Sequence, residues 1–271
     1  MDTWLGENRR QYRIFVGLLQ LLLDRGFSPL STEPASETSF RTDHTEAMIA
    51  LLKSFSPGSM TWPLRVFSTG PLFRPGRTWT DALDVEWLGP IGAPEEREVI
   101  ELVSEMARWL SGEGVRTDDL TMVFGHTGWL KLLGDQLGMT ADRIEVLVSE
   151  LRRGRLTSVG ELVAPLAPEA VELFHPQGPE EFFSCLARYL NVSIPPVGSD
   201  RWDTRWDLSL TGRRGYYTGL VFSLYHRQSG QPLVNGGTFS IAGGGEPSEG
   251  IGFTLDFDAC RTALGEISRV V

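Results

Sequence analysis

Several things are scarce in these 271 residues, and each scarcity removes a class of protein. There are only two cysteines, Cys185 and Cys260. Both sit in apolar surroundings without metal-ligand spacing, which excludes a disulfide framework and fits a reduced interior. No apolar run is long enough to span a bilayer. The strongest, Phe15 to Leu23, is interrupted by Gly17 and Gln20. The N-terminus, MDTWLGENRR, lacks the basic-then-apolar order of a signal peptide. Positive charge is also short. The net charge is −10 and no Lys/Arg-rich block offsets it, which argues against a broad nucleic-acid footprint. RRGR at 152–155 is the densest basic spot, and it reads as a solvated helix end. No Gly-rich loop with a following Lys is present to cradle phosphate. The expectation is a soluble, cytoplasmic protein with no metal and no cofactor.

The chain itself is 41% apolar and 22% charged, enough for a substantial core. Residues 6–25 predict a helix, with Leu18, Leu19, Leu22 and Leu23 at helical spacing and Gly26 as its stop. SFRTDHTEAMIALLK predicts a second helix from about Glu46 to Lys53, capped by Asp43 or Thr45. LRVFSTGPLFRPGR and TWTDALDVEWLGPIG predict an antiparallel hairpin punctuated by Pro-Gly. Pro94 opens a helix with acidic residues at its start. DDLTMVFGHTGWLKLLGDQLG then gives a strand, a Gly-His turn and a helix. The lone His126 in that turn is read as a structural hydrogen bonder. A helical, proline-broken region follows, then strands in TRWDLSL, YYTGLVFSLY, QPLVNGGTFSI and GIGFTLDF, and a last helix from about Asp258 to Val270. This order predicts an α+β fold with a mostly antiparallel sheet.

One stretch organises the rest: TGRRGYYTGLVF, Thr211 to Phe222. Neighbouring strand residues face opposite ways, so Tyr216 and Tyr217 are expected on different sides, one lining a cavity or edge and one packing behind. A buried phenol needs a partner and suits the reading of a polar small molecule. An ordinary Tyr-rich core strand is the competing reading.

RGYYTGLVF resembles the signature that histidyl-tRNA synthetases share with their non-synthetase paralogues, the regulatory subunits of ATP phosphoribosyltransferase. Other pieces resemble that family in the same order. GFSPLSTEP is similar to the helix-to-strand turn at the family's dimer interface, with Pro34 as the terminal proline. RTDHT is similar to an Arg-Pro-Asp-x-Thr segment, with Thr42 in place of Pro. STGPLFRPGR is similar to motif 2, and FGHTGWL to a Gly-His-x-Gly segment. The resemblance covers essentially the whole chain. It implies a class II aminoacyl-tRNA synthetase-like catalytic fold, mostly antiparallel sheet flanked by helices. It implies one domain over 1–271 with a helical insertion at about 127–198, and no anticodon-binding domain.

The same resemblance implies an amino-acid site, for histidine in the family, built from Asp43, Thr45, Arg74, Tyr216 and Tyr217. Arg74 offers a guanidinium fork for a carboxylate. Trp87, Arg213, Arg214, Gly236 and Gly237 are expected as further lining, the glycines giving a ligand close approach to the backbone. The family's imidazole-reading Gln and Glu correspond to about Trp87 and Pro90–Ile91, with Glu86 alongside but expected to point the other way. The nucleotide-holding groups are replaced. Gly76 stands for a motif 2 Glu and Ala259 for the motif 3 Arg, while Arg261 leaves the helix about 200° away. Asp256 and Asp258 add negative charge there, so no catalytic residue is expected. The resemblance then implies a regulatory subunit of ATP phosphoribosyltransferase, in the first step of histidine biosynthesis. Its partners would be the short-form catalytic subunit and itself, as a homodimer within a hetero-octamer, with histidine as effector. Two alternatives stand beside it. One is an amino-acid-activating or tRNA-related enzyme with a rewired ATP site; the other is a scaffold that has lost amino-acid binding.

Overall fold

A computed structural model of the chain describes residues 2–32, 44–53, 62–73, 80–192, 202–212, 215–240 and 249–265. The first helix, α1 (Asp2–Asp24), buries Ile14, Leu18 and Leu22 at intervals of four. It stops at Gly26, whose φ of 78° is the left-handed conformation that glycine adopts freely. The Phe27 N–H then donates back to the Leu22 carbonyl at 2.9 Å. A two-residue strand, β1 (Ser28–Pro29), follows. After α2 (Thr45–Lys53) comes the expected hairpin, β2 (Leu64–Leu72) and β3 (Thr80–Leu88), in register from Leu64↔Leu88 to Leu72↔Thr80.

α3 (Ala93–Gly112) opens with Pro94 in its first turn, and its Glu95 carboxylate accepts from the Gly92 N–H at 2.8 Å. β4 (Leu120–His126) leads through α4 (Thr127–Gln136), α5 (Ala141–Arg152), α6 (Leu156–Val163) and α7 (Pro179–Leu186) to β5 (Asp203–Trp206). β6 (Tyr217–His226), β7 (Gln231–Ser240), β8 (Glu249–Asp256) and α8 (Phe257–Ala263) complete the order. All eight strands form one sheet, β1-β2-β3-β8-β7-β6-β4-β5. It is parallel only at its two ends, β1 with β2 and β4 with β5, and antiparallel between. The α+β reading of the sequence is borne out. Among the described residues no helix is long and apolar enough to cross a membrane.

The faces of the sheet differ. On one, Leu83, Val85 and Trp87 of β3 and Ile251, Phe253 and Leu255 of β8 pack with α1 and α3 in the main core. The α4–α7 segment joins that core, where Trp206 is stacked 5.5 Å from Trp129 and 5.6 Å from Phe182 between ring centroids. On the other face lies a small separate cluster of Met48, Ile49, Val66, Leu88 and Phe239. α2 covers it, and the functional candidates gather there.

Candidate functional site

Strand alternation sends even-numbered residues of β3 away from the main core, and the antiparallel register lines them up with neighbours on four other strands. Ser68, Asp84, Thr254, Asn235 and Ser223 form one continuous row across β2, β3, β8, β7 and β6. Each carries a polar side chain. Thr254 Oγ1 donates to Asp84 Oδ1, and Ser223 Oγ donates to Asn235 Oδ1 at 2.9 Å. The next row is Val66, Glu86, Gly252, Gly237 and Val221.

The start of α2 lies over these rows. His44 is 1% exposed, with Nδ1 2.8 Å from Thr32 Oγ1, which is in turn 3.0 Å from Ser68 Oγ. His44 Nε2 is 4.0 Å from the Asp84 carboxylate. Thr45 Oγ1 donates to Glu86 Oε1, and both residues are buried. Of the two expected caps, Asp43 lies outside the described residues and the Thr45 hydroxyl reaches the sheet. The His44 carbonyl takes the first helical bond, from the Met48 N–H at 2.7 Å.

Two lining expectations are corrected by the register. Trp87 faces the main core, with the Arg65 guanidinium 4.0 Å above its ring. Glu86, expected to point away, is the residue that reaches Thr45. Ile91 likewise packs against the main core. The glycine pair does not give a ligand open backbone either. A Cβ on Gly236 would meet the Gly252 carbonyl oxygen at 2.4 Å and the Phe222 ring at 2.5 Å. A Cβ on Gly237 would meet the Tyr217 ring at 2.9 Å. These glycines are required by the protein's own aromatics.

Nor do the tyrosines divide between two sides. Tyr216 and Tyr217 both pack on the small cluster, with ring centroids 5.0 Å apart, and Tyr216 meets Phe239 at 5.8 Å. The alternation argument fails because β6 begins only at Tyr217 and its pairing with β7 shifts between Tyr217 and Val221. Tyr217 lies between Gly237 and Gly212, which has a φ of 71°. Asp43, Arg74, Gly76, Arg213 and Arg214 lie outside the described residues. The structure therefore brings Thr45, Tyr216 and Tyr217 to one face. Sequence reasoning missed His44 and Asp84, although two carboxylates at alternate positions in the apolar strand DALDVEWL were a usable signal.

The start of α8 is organised differently. The Asp256 carboxylate caps it, accepting from the Asp258 and Ala259 N–H groups, each at 3.0 Å, and from the Thr80 hydroxyl at 3.1 Å. Ala259 is 2% exposed. Arg261 pairs with Asp258 at 2.7 Å and Asp81 at 3.3 Å, and borders a cleft of about 410 Å³ beside Tyr12 and Phe15 of α1. His126 is structural, as read from the sequence. Its Nδ1 accepts from the Trp129 N–H at 3.1 Å and its ring stacks on Trp129 at 4.5 Å. Burial lowers its pKa to about 4. Burial also raises the Cys185 and Cys260 thiols, so both stay protonated.

One mixed, mostly antiparallel sheet of eight strands flanked by helices is the architecture of a class II aminoacyl-tRNA synthetase catalytic domain. A sequence model of the family described as histidyl-tRNA synthetase matches residues 63–260, and the chain belongs to that family. It is 27% identical to the ATP phosphoribosyltransferase regulatory subunit of Shouchella clausii, over 95% of this chain and 71% of that one. The crystal structure of an ATP phosphoribosyltransferase regulatory subunit/histidyl-tRNA synthetase from Bacillus halodurans superposes with a TM-score of 0.73. That match is 20% identical and covers 95% of this chain and 79% of the other. A chain of the ATP phosphoribosyl transferase complex from Thermotoga maritima superposes at 0.61, with 17% identity over 91% and 97% of the two chains.

Proposed function

We propose that this chain is the regulatory subunit of an ATP phosphoribosyltransferase, a synthetase-fold protein without adenylation activity of its own. The observation that carries this reading is the start of α8. Activating an amino acid with ATP requires fixed cations against the phosphates. Here the position corresponding to the family's arginine is the buried Ala259, and the helix start is occupied by the Asp256 carboxylate. Arg261 is committed to Asp258 and Asp81. Kinship with a regulatory subunit along nearly the whole chain supports the same reading.

On this proposal the chain binds the short-form catalytic subunit in a hetero-octamer and is required for the first step of histidine biosynthesis. Self-association runs through α1, where Tyr12, Val16 and Leu23 are 72%, 59% and 47% exposed. The test is to mix the purified chain with the short catalytic subunit and assay phosphoribosyl transfer. Activity is expected only from the mixture. Amino-acid-dependent pyrophosphate exchange at a synthetase's rate by this chain alone would overturn the proposal.

The polar face supports a further role as an amino-acid sensor, with histidine as the effector. Thr45, Tyr216 and Tyr217 share that face with Asp84 and Glu86, and Asp43 and Arg74 complete the proposed set. A ligand that binds one assembly state better shifts the population by its differential affinity. Arg74→Ala should abolish histidine binding, read by calorimetry, and leave the dimer intact by size-exclusion chromatography. Unchanged binding would remove Arg74 from the site.

A further inference from the structure

The contact between Thr45 and Glu86 joins two elements that meet through side chains. Glu86 is on the sheet floor and 2% exposed; Thr45 is in the first turn of a nine-residue helix and 5% exposed. Beside it, His44 reaches Thr32 and stands 4.0 Å from Asp84. One turn further on, Met48 and Ile49 rest on Val66, Leu88 and Phe239, a cluster separate from the main core. Among the described residues α2 meets the sheet through a polar anchor at its start and a small apolar contact after it, with Tyr216 and Tyr217 packed on that same contact. A short helix docked on a satellite cluster belongs to the low-stability end of a fold, where local opening occurs first.

We propose that the Thr45–Glu86 hydrogen bond is a latch on α2, and that a ligand donor taking the place of the Thr45 hydroxyl on Glu86 Oε1 breaks it and so releases the helix. The Thr45 hydroxyl and an incoming ammonium or other donor compete for the same oxygen, Glu86 Oε1. Occupancy of the pocket and the docking of α2 are then one equilibrium, with free energy exchanged between the two contacts. This rests on the amino-acid-site reading above. It also changes the role of Thr45, from a residue that holds the ligand to one the ligand displaces.

Hydrogen exchange of the full-length protein, read by mass spectrometry, tests the latch without any ligand. Thr45→Val removes the hydroxyl at nearly constant volume. It should speed exchange of the α2 amides about five- to tenfold, the size of one hydrogen bond, and leave β8 unchanged. Thr45→Ser keeps the hydroxyl and should exchange like the parent. Equal α2 exchange in the parent and Thr45→Val would overturn the proposal, as would opening in Thr45→Ser to the same extent. With L-histidine as the probe, α2 exchange in the parent should rise on binding. Affinity by calorimetry should increase about fivefold in Thr45→Val, because no bond has to be broken; a fall would restore Thr45 as a direct ligand contact and sink the latch. If histidine produces no heat with either protein, the amino-acid reading fails. The latch is then decided by exchange in the free proteins alone.

Discussion

The two faces of the sheet use the same strands for opposite purposes. β8 alternates Ile251, Phe253 and Leu255 toward α1 and α3 with Gly252, Thr254 and Asp256 on the other side. β3 does the same with Leu83, Val85 and Trp87 against Asp84 and Glu86. The first face is continuous apolar packing that gains stability from area removed from water. The second buries carboxylates, hydroxyls and an imidazole, groups that lose hydration and must recover it through hydrogen bonds. A protein selected for stability alone has no use for such a face. That is why the proposed amino-acid site falls on this face and not at the start of α8, where the Asp256 carboxylate caps the helix.

Substitutions at adjacent positions of β8 should separate the faces most strongly. Leu255→Ala leaves a cavity in the main core and should cost about 2–5 kcal/mol in urea unfolding. Thr254→Val keeps the volume and removes one donor to Asp84, costing about 1 kcal/mol. If the two costs were equal, the second face would be as much a structural core as the first.

A smaller effect, but one with a distinctive pH signature, comes from His126. Its pKa is depressed to about 4 from 6.5 because burial disfavours the charged ring, so the folded protein holds it neutral. Between those values the unfolded chain binds a proton that the folded chain does not. Stability from this group is therefore complete above pH 6.5 and falls as pH drops toward 4, by on the order of 3 kcal/mol in all. His126→Asn, which keeps a cap acceptor for Trp129, should flatten that part of the stability–pH curve. Chemical denaturation at intervals from pH 7 to pH 4 reads it directly; an unchanged slope would assign the acid sensitivity elsewhere.

How much of this was legible in the sequence depends on what each residue competes with. Helices, hairpin and sheet order follow from periodicity and punctuation, local signals that tertiary packing reinforces. Leu18 and Leu22 behave as their spacing requires. The site was read less well, because facing within a strand turns on a single residue of register. Trp87 and Glu86 exchange places through that ambiguity alone. Tyr216 defeats the alternation rule because the strand starts one residue later. Gly236 and Gly237 were read as making room for a ligand, and only three-dimensional packing shows that Phe222 and Tyr217 take the space. The Thr45–Glu86 contact, across 41 residues of chain, has no local signal at all.

The least costly break concerns the start of α8, where the Asp256 carboxylate serves as a helix cap. Asp256→Ala removes the acceptor for the Asp258 and Ala259 N–H groups and for Thr80. Loss of a cap costs about 1 kcal/mol, and α8 is short, so the change in unfolding midpoint should be modest. Its consequence for function is sharper. If Asp256 only caps the helix, the variant should still support phosphoribosyl transfer in the mixed complex and still fail at pyrophosphate exchange. Removing one negative charge supplies no cation. Were Asp256→Ala to gain exchange activity, the nucleotide site would be blocked by this carboxylate rather than dismantled, and Ala259 would no longer explain the silence.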